Sequence, residues 1–354
     1  MRTRLLGTLI LILLVCVVDV AAQGDLPPAD DLTDGLNYLT VEGATCARGT
    51  PYTFAARPGS PEKLLIYFQG GGACWDNFTC RLAGTFKPTT EAGEIDEYEG
   101  VFDFANPENP LADYSVAVIT YCSADVHTGQ ASDIFGEGAD AVQIAYNGAA
   151  NAQAVLDWVY ANYPVPERIV ISGSSAGAYG AIYHTPAILQ HYPEAQAFVL
   201  GDAGLGVIPP GWEGLSTWNM EANLAEGAAL DPSNAVEFNA SLYQLSAEMF
   251  PNAAFAEYSS AADQVQIGFY GFMGGAAETW AAGAQSHLET LNTLPNYRSY
   301  LAWGDTHTIL AFDLFYTMQV NGVRFRDWFA AQANGEAVET VICTDCAAEE
   351  LYTP

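Results

Sequence analysis

Basic residues are scarce in this chain: 11 lysines and arginines stand against 42 aspartates and glutamates, a formal net charge of −31, and Lys63 and Lys87 are the two lysines. So negative a surface is repelled by phosphate backbones and anionic headgroups, which excludes nucleic acid and acidic membranes as partners. It fits a protein kept soluble in salty surroundings. Metal signatures are also thin. Cys343-x-x-Cys346 has no second CxxC and no histidine cluster to complete a zinc site. The only run of three glycines, Gly70-Gly71-Gly72, lacks the GxGxxG spacing of a dinucleotide fingerprint. No long apolar run follows residue 22, so no membrane span is expected in the mature chain. Half of the residues are nevertheless hydrophobic, enough for a sizeable core in a chain of 354.

The first 22 residues carry Arg2 and Arg4, an apolar run Leu5 to Val18, and Val20-Ala21-Ala22 ahead of Gln23. That pattern predicts a signal peptide at 1–22 and a secreted protein, extracellular or periplasmic. Its removal takes Cys16 and leaves Cys46, Cys74, Cys80, Cys122, Cys343 and Cys346. An even count in a secreted chain suggests disulfides, and six cysteines allow 15 connectivities. The near neighbours Cys74 with Cys80 and Cys343 with Cys346 are favoured, which leaves Cys46 with Cys122.

Residues 23–40, polar and acidic with two prolines, read as a loose lead. After them apolar runs alternate with helical patterns. Lys63 to Phe68, Ser115 to Thr120, Arg168 to Ser172, Ala195 to Leu200, Ala253 to Tyr258 and Tyr297 to Trp303 read as buried strands. Ala139 to Tyr163, Glu278 to Leu294 and Val323 to Gln332 read as helices. Residues 207–252 break the rhythm and read as an insertion capping the sheet. The fold class is α/β: an α/β-hydrolase-like domain over 23–354, with a mostly parallel sheet, helices on both faces and that cap insertion.

Gly173-Ser174-Ser175-Ala176-Gly177 is a GxSxG pentapeptide between an apolar strand and an Ala-rich stretch, the setting of a nucleophile elbow. Ser175 is the candidate nucleophile. A serine needs a base, and the chain order of such sites is Ser, acid, His. Of the two histidines well downstream, His287 falls inside a predicted helix, whereas His307 lies directly beyond a strand's carboxyl end and is the candidate base. Three acids follow predicted strands. Asp263 comes first if the cap precedes its strand, Asp202 is the alternative, and Asp305 can simply shape the His307 loop. The strand at 63–68 runs into Gln69 and the three glycines, whose backbone can approach a substrate closely. Gly71, Gly72 and Ala176 are the expected oxyanion donors. His127 and Asp202 are possible pocket residues. His184 and His191 read as caps at the end of the elbow helix, and Trp75, Trp212 and Trp218 as sugar-stacking or core residues. Asn77-Phe78-Thr79 and Asn239-Ala240-Ser241 match the glycosylation triplet.

YFQGGGACW with Cys80 behind it, YCSADVHTG at 121–129, SGSSAGAYG at 172–180, DAG at 202–204, SSAADQVQIGFYG at 259–271 and GDTHT at 304–308 together resemble the pectin acetylesterase and Notum-like carboxylesterase family, in the family's order. The resemblance implies an α/β-hydrolase-like fold, no metal or organic cofactor, and a triad of Ser175, Asp263 and His307. It also places the oxyanion donors in the glycine run. Where eukaryotic relatives show an acidic residue, then GG, Trp and Cys, this chain has Gln69, Gly70 to Gly72, Ala73 and Cys74, as a bacterial-type member would.

The sequence thus predicts a secreted serine carboxylesterase acting on O-acyl esters, acetyl first, of a small molecule or a polymer such as a polysaccharide. Anionic polygalacturonate is disfavoured by the chain's charge. The alternatives are a non-catalytic glycan-binding member of the same fold, or a serine hydrolase of aliphatic polyesters or peptides. Oligomeric state is open.

Overall fold

The computed structural model describes residues 26–224 and 235–352. The leader expected at 1–22, with Cys16, lies outside them. In chain order the described elements are β1 (Asn37–Thr45), β2 (Pro51–Arg57), β3 (Ser60–Phe68), β4 (Tyr114–Ile119), β5 (Ala131–Phe135), β6 (Val142–Tyr146), α1 (Gly148–Asn162), β7 (Arg168–Ser174), α2 (Ala176–His191), β8 (Gln196–Asp202), α3 (Gly214–Trp218), α4 (Phe238–Met249), β9 (Ala254–Ser260), α5 (Gln264–Phe272), α6 (Ala277–Leu291), β10 (Tyr297–Ala302), α7 (Leu314–Thr317), β11 (Gln319–Val320), β12 (Val323–Arg324), α8 (Phe325–Ala333) and β13 (Val341–Ile342).

Nine strands make one sheet in the order β1-β2-β4-β3-β7-β8-β9-β10-β13. The β1/β2 and β2/β4 pairs are antiparallel and the others parallel. Strands buried on both faces read as continuous apolar runs, because each face packs under helices. In β3, Leu64, Ile66 and Phe68 join a core with α1, α2 and α4, while Leu65 and Tyr67 join a second core with Phe315, Phe325 and Phe329 on the opposite face. The fold is the α/β-hydrolase-like one.

Three expectations are corrected. Ala139 to Tyr163 is not one helix: β6 occupies its first part and pairs with β5, and α1 begins only at Gly148. Ile144 is buried there as a strand residue. The lead is shorter than residue 40, since β1 begins at Asn37 and its own Leu39 and Val41 are buried. The last helix begins at Phe325 because Val323 and Arg324 pair with Gln319 and Val320 across an Asn321-Gly322 turn, φ +51° and +78°, the left-handed pair of a two-residue hairpin.

Five neighbouring strands, β3, β7, β8, β9 and β10, end on the same edge of the sheet. The glycine run, Ser175, Asp202, Asp263 and His307 follow them, at the edge where open α/β sheets gather their ligands.

Candidate active site

Ser175 sits between β7 and α2 with φ +56° and ψ −123°, a conformation that costs a non-glycine residue of order 1–3 kcal/mol. Its flanking glycines make the turn possible. A Cβ on Gly173 would overlap the Gly177 carbonyl, and one on Gly177 would overlap that of Phe68. The strained serine is held by its own amide, which donates to the Asp202 carbonyl at 2.7 Å. The glycine run lies directly on the elbow, because a Cβ on Gly70 would stand 2.6 Å from the Ser174 carbonyl oxygen.

His307, in the loop between β10 and α7, donates from Nδ1 to Asp263, 3.0 Å to Oδ1 and 2.9 Å to Oδ2. Asp263 is fully buried and caps α5, Oδ1 accepting the Val265 and Gln266 amides at 3.0 Å each. Oδ2 also accepts from Gln266 Nε2 at 2.9 Å. A helix N-terminus and a side-chain amide thus hold a buried carboxylate in place. With Nδ1–H directed to that carboxylate, Nε2 is the ring nitrogen left to accept a proton. Nε2 is buried and has no hydrogen-bond partner among the described residues. Such an orphan acceptor is costly and calls for a reason. Ser175 and His307 line the same cavity.

Asp202 lies behind these groups. It is fully buried, accepts Ser174 Oγ–H at 2.5 Å and the Ile309 and Leu310 amides at 3.1 Å, and so ties the elbow to the loop that carries His307. Tyr67 donates to Ser174 Oγ at 2.8 Å, completing the relay. Burial pushes the Asp202 carboxyl up to about 6, against the pull of its hydrogen bonds. Asp202 does not line the cavity.

His127 is not a cavity residue either. It is buried behind the glycine run and donates from Nε2 to the Gln69 carbonyl at 2.8 Å. Burial lowers it to about 3, so it stays neutral. His184 is buried within α2 rather than near its end, donates to the His127 carbonyl at 2.8 Å and is lowered by burial to about 4. His191 is the last residue of α2, stacked on Tyr160. Asp125, unremarked in the sequence, organises this region. It accepts Ser123 Oγ–H at 2.6 Å, the Gly148 amide at 2.7 Å and the His127 amide at 3.1 Å. Ala124, Val126 and His127 all have positive φ there. The signal for Asp125 was its place in SADVHTG, but a buried acid cannot be told from a surface one by type alone.

Gln69 fixes the glycine run from both ends. Its Oε1 accepts the Tyr121 amide at 2.9 Å and Lys87 Nζ at 3.2 Å, while Nε2 donates to Tyr98 Oη at 2.9 Å. Gly72 and Ala176 reach the cavity, whereas Gly71 sits one residue back against the Tyr121 ring. The Ala73 amide is spent on the Thr85 carbonyl.

The cavity leaves about 110 Å³ free and is walled almost entirely by apolar side chains: Trp75, Trp212, Trp218, Phe238, Leu242 and Phe269 among them. The three tryptophans therefore belong to its wall. Trp218 donates Nε1–H to the Cys74 carbonyl at 2.9 Å. The described parts of the segment between β8 and β9, which includes the expected 207–252 insertion, supply Leu215, Trp218, Phe238 and Leu242. Asn239 is buried and donates to the Gly204 and Leu205 carbonyls, so its triplet cannot take a glycan in the folded chain. Asn77 is exposed. Disulfides join Cys46 with Cys122, Cys74 with Cys80 and Cys343 with Cys346.

A family model described as Pectinacetylesterase matches residues 32–220, more than half of the chain. No curated protein matches the sequence. Among solved structures, the Wnt deacylase Notum of Drosophila is similar with a TM-score of 0.65 at 16% identity, covering 88% of this chain and 96% of that one. At that identity the likeness shows the fold.

Proposed function

The chain belongs to the pectinacetylesterase family and is a carboxylic ester hydrolase, and from that premise we propose that it works through Ser175, His307 and Asp263 by way of an acyl-enzyme. Ser175 Oγ attacks the ester carbonyl as His307 Nε2 takes its proton. Asp263 holds the imidazole in the required tautomer and stabilises its charged form. The amides of Gly72 and Ala176, which reach the cavity, receive the developing oxyanion, and Gly71 holds the glycine run behind them. Collapse expels the alcohol, protonated by His307, and water repeats the sequence to free the acid. The observation that carries this reading is the buried His307 Nε2, without a partner among the described residues, in the cavity that also holds the strained Ser175. Ser175 and His307 share no hydrogen bond among the described residues, and catalytic bonds are often long or poorly aligned before substrate arrives.

The cavity favours an acyl group larger than the acetyl first expected. A dry apolar cavity of roughly 150 Å³ takes up benzene, so about 110 Å³ far exceeds what one methyl group fills. We therefore assign the cavity to an apolar acyl chain, with the β8–β9 insertion as the cap that shapes it. Three disulfides support a location outside the cytosol. The test is mass spectrometry after reaction with a fluorophosphonate, run beside nitrophenyl esters of increasing chain length. The expected result is one adduct, on Ser175, and kcat/KM highest at a chain of four carbons or more. Absence of adduct and turnover on folded protein would favour a glycan-binding scaffold, and an optimum at acetyl would return the cavity to another use.

A further inference from the structure

The aromatic wall of the cavity continues onto the outer surface. Trp218 meets Trp212 with ring centroids 6.1 Å apart, Trp212 meets Trp75 at 5.1 Å, and Trp75 meets Phe269 at 6.5 Å. Phe269 then touches Phe272 at 5.9 Å and Phe272 touches Phe78 at 5.9 Å. The file runs from a buried ring to two exposed ones: Trp218 is 3% accessible, Phe272 46% and Phe78 50%. Leu82, one turn beyond Phe78, is 61% accessible, and Val265, at the cavity's edge, is 38%.

The charge pattern sets this region apart. No charged residue falls between Asp263 and Glu278, so α5 and the turn after it are neutral in a chain of net charge −31. Packing does not explain α5's outer face. Its Gly268 and Gly271 have open space where a Cβ would stand, and a longer polar side chain would fit at either. Aromatic, exposed surface of this kind, neutral along α5 and bordered by Asp76 and Arg81 beside Phe78 and Leu82, marks an interaction site. Its continuity with the acyl cavity says what the partner is. A surface that leads into the wall of an ester-binding cavity is suited to the acyl substrate itself, and one that presents several exposed apolar side chains around that cavity suits a substrate offering many acyl chains at once. The net negative charge excludes an anionic lipid surface.

We propose that Phe78, Leu82, Val265 and Phe272 dock the enzyme on the surface of an undissolved, neutral acyl ester, from which one chain enters the cavity. The proposal rests on the serine esterase reading and adds the physical state of the substrate. Phe78 and Phe272 bury their rings in the ester phase, as aromatic residues do at apolar–water boundaries. The enzyme is thereby concentrated where its substrate is, with the cavity mouth facing it.

The test uses tributyrin as the probe, with rates followed through its solubility limit, on the wild type and on the Phe78→Ser/Phe272→Ser double variant. A second arm measures flotation of each protein, carrying Ser175→Ala, with tributyrin droplets. The expected wild-type rate rises sharply once droplets form. The double variant should lose that rise and float at least tenfold less, while keeping its melting temperature and its rate on dissolved nitrophenyl butyrate within twofold. A wild-type curve that saturates below the solubility limit, or a variant that retains the rise and the flotation, overturns the proposal. Failure of the esterase reading would look different: no turnover of the dissolved ester and no fluorophosphonate adduct on Ser175.

Discussion

At the scale of single residues, the site contains two buried aspartates that the sequence alone separates poorly, and their surroundings assign them different work. Asp263 touches the His307 ring, whereas Asp202 accepts Ser174 Oγ–H and reaches the loop that carries His307 only through its backbone amides. Asp263→Asn offers an N–H or a weaker acceptor to Nδ1 and favours the wrong tautomer, so kcat should fall by about 10³ to 10⁴. Asp202→Asn can still accept the Ile309 and Leu310 amides through its carbonyl, and kcat should fall less than about tenfold. Steady-state rates of the two variants on one soluble ester compare them directly; the reverse order would exchange their roles. Asp202 carries a pH signature as well. Its carboxyl is raised to about 6 in the folded protein from 3.8. A raised acid contributes stability fully below its unfolded value and loses it as pH climbs through the folded one. Asp202→Asn lacks that loss. The melting temperature of the variant minus that of the wild type should therefore increase between pH 4 and pH 7, and a flat difference would show that the carboxyl is not raised.

At the scale of elements, the elbow was legible because sterics leave few alternatives. Gly173 and Gly177 stand where another backbone already occupies the space a side chain would need. Gly177→Ala should destabilise the protein by roughly 3 kcal/mol or more, read from the midpoint of urea unfolding; a midpoint unchanged from wild type would mean that the strand and helix can separate at no cost. The buried parallel strands were equally plain, since both faces of β3 are apolar. Edge elements were not. β1 buries Leu39 and Val41 on one side only and reads as polar lead, and β6 hides in an Ala-rich run because Ile144 fits a helical stripe as well as a strand. The Asn321-Gly322 hairpin signal was present but obscured by the helix that follows two residues later. Cys46 and Cys122 join the end of β1 to the loop behind the glycine run over a separation of 76 residues. Chain entropy gives such a link about 4 to 5 kcal/mol. The Cys46→Ser/Cys122→Ser variant should lose a stability of that order in urea, and a loss under about 1 kcal/mol would mean that β1 and β2 hold that loop alone.

At the scale of the whole molecule, charge and cavity are separate designs on one surface. Composition established the charge, but not that the neutral stretch after Asp263 would fold into a helix beside the cavity mouth, because a contiguous apolar surface is a property of three dimensions. The net charge of −31 repels itself most strongly in the compact state. Salt should therefore stabilise the fold, and two salt effects can be distinguished by their shape. Screening acts over the Debye length, about 10 Å at 0.1 M and about 3 Å at 1 M, so its benefit accrues mostly below a few tenths molar. Strengthened apolar burial by excluded salts keeps growing with concentration. The melting temperature measured in sodium chloride from 10 mM to 1 M should rise by several degrees and flatten in the upper half of that range. A steady rise would assign the effect to apolar burial, and no rise would mean that the acidic groups are spaced widely enough, or paired well enough with the 11 basic ones, for repulsion to be negligible in the folded state.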